Sequence, residues 1–107
     1  IKDFSSPNLK IIFDPVNLLT KENALKQKEI TYDFLDSLQG HIAAIHLKDF
    51  ILEDKLKIVP VGHGQMDVSD IFHFIKSSAP LLPVSMENVK EPDLPHSIQF
   101  LQDKFEA

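Results

Sequence analysis

Three side chains that can bind a metal ion or transfer a proton each follow a short apolar segment. They are Asp14, His46 and Glu87. The sequence has no cysteine, so a metal ion would be held by oxygen and imidazole nitrogen alone. Two carboxylates and one imidazole suit Mn²⁺, Mg²⁺, Co²⁺ or Zn²⁺, and the carboxylates favour a harder ion such as Mn²⁺. Open positions on such an ion could bind vicinal sugar oxygens and make a neighbouring C–H proton easier to remove.

Apolar patterning predicts that strands and helices alternate along the chain. The predicted strands are Leu9–Phe13, Ile42–Ile45 and Val84–Met86. Apolar residues at helical spacing predict three helices, with the stripes Ile30/Phe34/Leu38, Val68/Ile71/Phe72/Ile75 and Leu94/Ile98/Leu101/Phe105. Gly40 is expected to cap the first helix, and Asp67 or Ser69 the second. The connection from Phe50 to Val61 is long enough for a short hairpin.

The order β-α-β-α-β-α predicts parallel strands joined by right-handed crossovers, with the helices outside the sheet. The polar residues at strand ends stand at positions 14, 46 and 87, which are 32 and 41 residues apart. A barrel of about 250 residues in eight units has about 31 residues per unit. Both a doubly wound sheet and a barrel remain compatible with this pattern. In either fold the carboxyl ends of the strands meet, so the three polar residues should converge on one bowl.

Composition excludes several classes of protein. The net charge of −5 counts against a surface that follows a nucleic-acid backbone. No apolar run approaches the roughly 20 residues of a membrane span, and the first residues lack the layout of a signal peptide. We therefore expect a soluble protein, and a cytoplasmic location agrees with the absence of cysteine.

Four short segments carry a family resemblance. They are Leu9–Asn17, Ile45–Asp49, Val61–Gly64 followed by Asp67, and Ser85–Glu87. Together they resemble the last three strands of the xylose-isomerase-like TIM barrels. That superfamily includes sugar and sugar-phosphate isomerases and epimerases, inosose dehydratases and the endonuclease IV type of repair enzyme. The resemblance covers essentially the whole chain and implies that residues 1–107 form a single partial domain, the C-terminal part of an α/β (β/α)₈ barrel.

The resemblance also implies a metal-dependent enzyme. In the epimerase branch a divalent ion is held by Glu, Asp, His and Glu from four successive strands. Asp14, His46 and Glu87 match the second, third and fourth of these ligands, and the first would come from a strand before Ile1. The implied reaction is isomerisation or epimerisation of a sugar or sugar phosphate, by proton removal next to a carbonyl through an enediolate. Glu87 would be one of the two proton-transfer groups, and the site in this chain alone would be incomplete.

Four more residues are candidates for substrate binding, each with a plainer alternative. Asn17 is either a substrate contact or a turn residue. Lys48 and Asp49 could meet the substrate or hold His46 in its working tautomer, or they could form an ion pair in a loop. His63, between two glycines, is either a substrate contact or an ordinary loop residue, and we do not expect it to be a metal ligand.

Two other functions and two kinds of partner follow from the same pattern. A metal-dependent phosphodiesterase like endonuclease IV is disfavoured by the acidic charge and by Asn17, where several relatives carry a histidine. A non-catalytic barrel fragment or binding module is the third possibility.

Three units cannot close a barrel, so the strand edges are expected to be covered by an N-terminal barrel half or by self-association. We expect neither nucleic acid nor membrane as a partner.

Overall fold

Strands and helices alternate along the chain in the order that the apolar pattern predicts. The computed structural model describes residues 10–107, so Leu9 of the first predicted strand lies outside the described residues. The strands are β1 (Ile11–Phe13), β2 (Ile42–Leu47), β3 (Asp49–Leu52), β4 (Leu56–Val59) and β5 (Val84–Met86). The α-helices are α1 (Gln27–Leu38), α2 (Ser69–Ser78) and α3 (Leu94–Glu106). Short 3₁₀ turns span Pro15–Leu18, Ala24–Lys26, Gln39–His41 and Glu91–Asp93.

The main sheet has three parallel strands in the order β1-β2-β5. Its central strand pairs with one neighbour through Ile12↔Ala44 and with the other through His46↔Ser85. β3 and β4 form a separate antiparallel hairpin between β2 and α2, which confirms the hairpin expected in the long connection. The predicted α/β class and parallel strands are therefore confirmed.

The core lies between one face of the sheet and the helices. Phe13, Ile45 and Leu47 are almost completely buried on this face. Phe13 stacks on Phe34 of α1 with ring centroids 4.3 Å apart, and Ile71 of α2 belongs to the same apolar cluster. Burial of these side chains is the main favourable term that holds the strands in place.

The predicted cap at Gly40 is wrong. α1 continues into the 3₁₀ turn Gln39–His41 instead of ending on a glycine in the left-handed region. Among residues 10–107, Gly62 is the glycine with a positive φ, at 95°. The tighter 3₁₀ hydrogen bonding ends the helix, so a left-handed residue is not required at this position.

The predicted apolar stripe of α3 is only partly correct. Ser97 is fully buried and donates its hydroxyl hydrogen bond to the Val61 carbonyl, while Phe100 and Leu101 pack against the core. Ile98, which the stripe included, is 44% exposed. The Ser97 hydroxyl can be buried here because its hydrogen bond to the Val61 carbonyl satisfies it, so the buried face of α3 includes Ser97 and not Ile98.

Helix α2 begins as expected near Asp67. Its carboxylate accepts hydrogen bonds from the backbone N–H of Ser69 at 2.9 Å and from the Ser69 hydroxyl at 2.6 Å. Within residues 10–107, no helix is both long and apolar enough to cross a lipid bilayer.

Candidate functional site

The predicted ligands lie on the sheet face that the helices leave uncovered. His46 and Ser85 are paired on this face, and Ile12, which is 58% exposed, shares it. Side chains alternate between faces along a strand, so Asp14 continues the row of Ile12 and Glu87 continues the row of Ser85. All of these positions are at or just beyond the carboxyl ends of parallel strands, where ligands bind in α/β folds.

The structure brings Asp14, His46 and Glu87 together around Lys48. The Lys48 ammonium is 3.2 Å from Asp14 Oδ2 and 3.8 Å from Glu87 Oε1. His46 Nδ1 is 2.9 Å from Glu87 Oε2. Side chains two residues apart on a strand lie on the same face of the sheet, so Lys48 lies on the same face as His46. The four side chains form one connected polar cluster.

The ion pair at the centre of this cluster is largely shielded from water. The side chain of Asp14 is 11% exposed and that of Lys48 is 15% exposed, whereas Glu87 is 38% exposed. Charges at shielded positions are weakly screened, so the positive charge of Lys48 stabilises the carboxylate of Asp14. Glu87, the most accessible of the three, is the carboxylate best placed to meet a solute.

Local backbone structure positions Asp14. The residue caps the 3₁₀ turn Pro15–Leu18, and Asp14 Oδ1 accepts the Asn17 backbone N–H at 3.3 Å. The other carboxylate oxygen is then free to face Lys48. Asn17 is exposed, and its backbone N–H takes part in this turn, which agrees with the plainer of the two roles predicted for it. A substrate contact by its side chain stays a prediction.

Glu87 is held by the strand ladder and by an uncommon backbone conformation after it. Its N–H donates to the Leu47 carbonyl at 2.7 Å, which extends the pairing of β5 with β2 by one residue. Asn88 then has φ 60°, in the left-handed region that asparagine tolerates better than most residues. The chain therefore turns sharply after Glu87 and leaves its side chain at the strand end.

His46 and Glu87 form the second close pair of the cluster. The ring nitrogen His46 Nδ1 lies 2.9 Å from Glu87 Oε2. Because Nδ1 faces this carboxylate, Nε2 is the ring nitrogen that remains for a metal ion or a substrate hydroxyl. A role of Lys48 or Asp49 in holding the tautomer of His46 stays a prediction.

The donor types fit a divalent ion, but an ammonium group holds the centre of the cluster. Among residues 10–107, no three His, Asp or Glu side chains are placed so as to hold one metal ion. The two carboxylates nevertheless point at a common positive charge, which Lys48 supplies. Two oxygens and an imidazole nitrogen form a suitable set for Mn²⁺ or a similar ion. The residues therefore fit such an ion by donor type, whereas in their present placement the ammonium of Lys48 lies between the two carboxylates.

Asp49 has a structural role that the sequence did not predict. Its carboxylate is completely buried and accepts hydrogen bonds from four backbone N–H groups, at 2.8 to 3.1 Å. The donors belong to Phe50, Gly62, Gly64 and Met66. Such a set of N–H donors satisfies an ionised carboxylate without a cation. Asp49 is therefore not placed to contact a substrate, and it holds the Gly62–Met66 loop instead.

His63 is placed away from the cluster. Its exposed ring packs on His96 of α3, with centroids 4.3 Å apart, and His96 Nε2 is 3.4 Å from the Gly62 carbonyl. The loop that carries His63 is fixed by Asp49 at one side and by α3 at the other. The structure thus does not bring His63 to Asp14, His46 or Glu87, and a substrate contact by it stays a prediction.

One cavity of 610 Å³ lies between the loop and helices α2 and α3. Its lining includes Asp67, His73, Lys76 and Lys104 but none of the four residues of the polar cluster. The cluster is therefore separate from this cavity. The cluster is the better candidate site, because its charged groups are close together and partly shielded from water.

Comparisons of the chain with models of protein families, with curated proteins and with solved structures gave no match.

Proposed function

We propose that this protein is a metal-dependent isomerase or epimerase that acts on a sugar or sugar phosphate. One observation carries the proposal: at the ends of three parallel strands, two carboxylates pair with one ammonium, and an imidazole pairs with one of these carboxylates. Such a cluster combines a place for a cation with a partly exposed carboxylate able to move a proton. Together these two features can shift a hydrogen next to a carbonyl.

We further propose that the chain forms the last three units of a TIM barrel. All three helices contribute to one apolar cluster on a single face of the sheet, as in a barrel wall. A doubly wound sheet would carry helices on both faces. The other face holds Ile12 and the polar cluster, which suits the interior and mouth of a barrel. Preceding strands of a barrel would pair with the open edge of β1.

Each residue of the cluster has a role in the proposed reaction. Glu87 removes the proton next to the substrate carbonyl, and the contact of His46 Nδ1 with Glu87 Oε2 helps to orient its carboxylate. Asp14, His46 and Glu87 would hold the divalent ion, Mn²⁺ by preference, together with a glutamate from an upstream strand. When bound, the ion would polarise the substrate oxygens and make the C–H proton more acidic. The shielded position of Asp14 excludes bulk water from this part of the site.

The acidic chain and the histidine positions favour this function over a phosphodiesterase. The chain has a net charge of −5, and a cytoplasmic small-molecule enzyme needs no basic surface. A nuclease site with several ions needs more imidazoles, but His63 packs on His96 and position 17 is an asparagine. A barrel segment without catalytic activity remains as the outcome if the following test fails.

The test is solvent hydrogen exchange in the full-length protein. A panel of ketoses and ketose phosphates is incubated with wild type and Mn²⁺ in D₂O. NMR should show that deuterium is incorporated next to the carbonyl of at least one of these substrates. Glu87→Gln should lower the exchange rate by about 10²-fold or more, because it removes the proton acceptor. Glu53→Gln is the matched control, since Glu53 pairs only with Lys57 on the surface of the hairpin and should leave the rate unchanged.

Metal analysis completes the test. Wild type should retain a divalent ion after gel filtration, and Asp14→Ala should retain less because one of the donors is lost. Absence of exchange with every substrate of the panel, in protein loaded with Mn²⁺, would contradict the proposed function.

A further inference from the structure

We infer that Lys48 is a tethered cation that competes with a divalent ion for the carboxylates of Asp14 and Glu87, and thereby weakens metal binding. The inference rests on the proposed function only in taking this site to be one that accepts a divalent ion. It concerns a residue that the ligand set Asp14, His46 and Glu87 does not include.

The position of the ammonium carries the first step. Lys48 Nζ is 3.2 Å from Asp14 Oδ2 and 3.8 Å from Glu87 Oε1, so it contacts both carboxylates that the metal would need. The remaining oxygen of Glu87 is engaged by His46 Nδ1. Both carboxylates thus already have close partners within the chain.

Charge balance carries the second step. The carboxylate of Asp14 is 11% exposed, and a shielded carboxylate without a counter-charge is costly. Lys48 supplies that counter-charge when no metal ion is bound. A divalent ion on the same carboxylates would place a second cation beside the ammonium, and like charges at such distances repel strongly where screening is weak.

The side chain of Lys48 is able to leave the carboxylates when a metal ion binds. Its ammonium is a point charge on a flexible four-carbon stem, so it can leave the carboxylates by rotation of side-chain bonds while the backbone of β2 stays in place. Metal binding therefore includes the free energy of breaking two ion pairs. The affinity that the three ligands alone would provide is reduced by that amount.

The experiment measures Mn²⁺ affinity in the full-length protein by isothermal titration calorimetry, with thermal unfolding in EDTA and in Mn²⁺ as a second readout. Lys48→Met removes the charge and keeps the apolar stem. It should bind Mn²⁺ about tenfold more tightly than wild type, equivalent to about 1.4 kcal/mol. In EDTA its melting temperature should be lower than that of wild type, and Mn²⁺ should raise it by more than it raises that of wild type.

Two controls separate charge from packing. Lys57→Met removes a lysine that pairs with Glu53 on the exposed hairpin, and it should leave Mn²⁺ affinity unchanged. Lys48→Arg keeps the charge, so it should bind Mn²⁺ no more tightly than wild type. Lys48→Met could fail to fold in EDTA, a condition in which wild type folds. Folding of the variant once Mn²⁺ is added then supports the inference, and failure to fold in both conditions overturns it.

The inference and the proposed function fail in different ways. The inference is overturned if Lys48→Met binds Mn²⁺ no more tightly than wild type, or if neither protein binds it. In that case the solvent hydrogen-exchange test still decides the proposed function. Binding by Lys48→Met but not by wild type supports the inference and removes the metal-dependent form of the proposed function.

Discussion

Asp49 and Gly64 together set the geometry of the loop that carries His63. A Cβ atom on Gly64 would lie 2.5 Å from Asp49 Oδ1 and 2.9 Å from Asp49 Cγ, and it would also collide with the backbone carbonyl of Phe50. The Asp49 carboxylate is buried and fixed by its hydrogen bonds, and the Phe50 carbonyl belongs to the backbone, so neither can move aside cheaply. The N–H of Gly64 is one of the donors to Asp49, and a displaced backbone would lose that hydrogen bond as well.

Gly64→Ala should therefore lower the free energy of unfolding by about 3 kcal/mol, the upper part of the range for overpacked sites. Urea unfolding of the variant beside wild type measures the loss. Gly40→Ala is the matched control: a Cβ there has nothing within 4 Å, and the expected change is within about 1 kcal/mol of zero or slightly stabilising. Equal losses in the two variants would show that the contact with Asp49 is not the cause.

At the scale of elements, Lys28 of α1 joins the start of α2. Its ammonium is 3.4 Å from Asp67 Oδ2 and 3.4 Å from Asp70 Oδ2. Burial by itself raises the pKa of Asp67, but hydrogen bonds from Ser69 and the charge of Lys28 outweigh burial and hold the pKa below its ordinary value of 3.8. The charge of Asp67 raises the pKa of Lys28 in return. Two helices that share one face of the sheet are thus linked by charge.

The lowered pKa of Asp67 predicts a stability that depends on pH. The unfolded chain binds a proton at this carboxyl at a higher pH than the folded chain does, so the stabilisation is complete above pH 3.8 and is lost as pH falls through the folded pKa. Asp67→Asn should therefore reduce the slope of stability against pH in this acid range, as measured by urea unfolding between pH 2 and 6. Asp54→Asn, an exposed change in the hairpin turn, is the control and should keep the wild-type slope. An unchanged slope in Asp67→Asn would contradict the prediction.

For the whole molecule, the central position of β2 in the sheet predicts that β2 has a higher free energy of local opening than the hairpin. β2 is paired on both sides, and Ile45 N–H donates to the Pro83 carbonyl while the Leu47 carbonyl accepts from Glu87. Within residues 10–107, β4 pairs with β3 alone, and its Ile58 is 44% exposed. Local opening needs least free energy where few buried contacts are lost.

Hydrogen exchange followed by mass spectrometry should reveal this difference. Amides of β2 should exchange about tenfold or more slowly than those of β4, a difference of about 1.4 kcal/mol in opening free energy. The amides of α2, which pack through Ile71 and Ile75, serve as a second protected reference. Equal protection of β2 and β4 would mean that the hairpin is covered by more of the protein than the described residues.

Sequence alone determined the order of elements, the parallel strands and the strand-end positions of Asp14, His46 and Glu87. These follow from local periodicity, since apolar runs and helical stripes are set by residues close in the chain. The hairpin was also within reach, because its length and composition are local features.

Only the tertiary structure decided which groups those side chains meet. Lys48 between two carboxylates joins three strand ends that are more than thirty residues apart. Asp49 binds N–H groups 13 to 17 residues further along, and His63 packs on a helix that begins at Leu94. The buried face of α3 was likewise misjudged at Ile98, because Ser97 is buried instead, with its hydroxyl bonded to the distant Val61 carbonyl. Such contacts depend on how separate elements pack against each other, and local pattern does not contain that information.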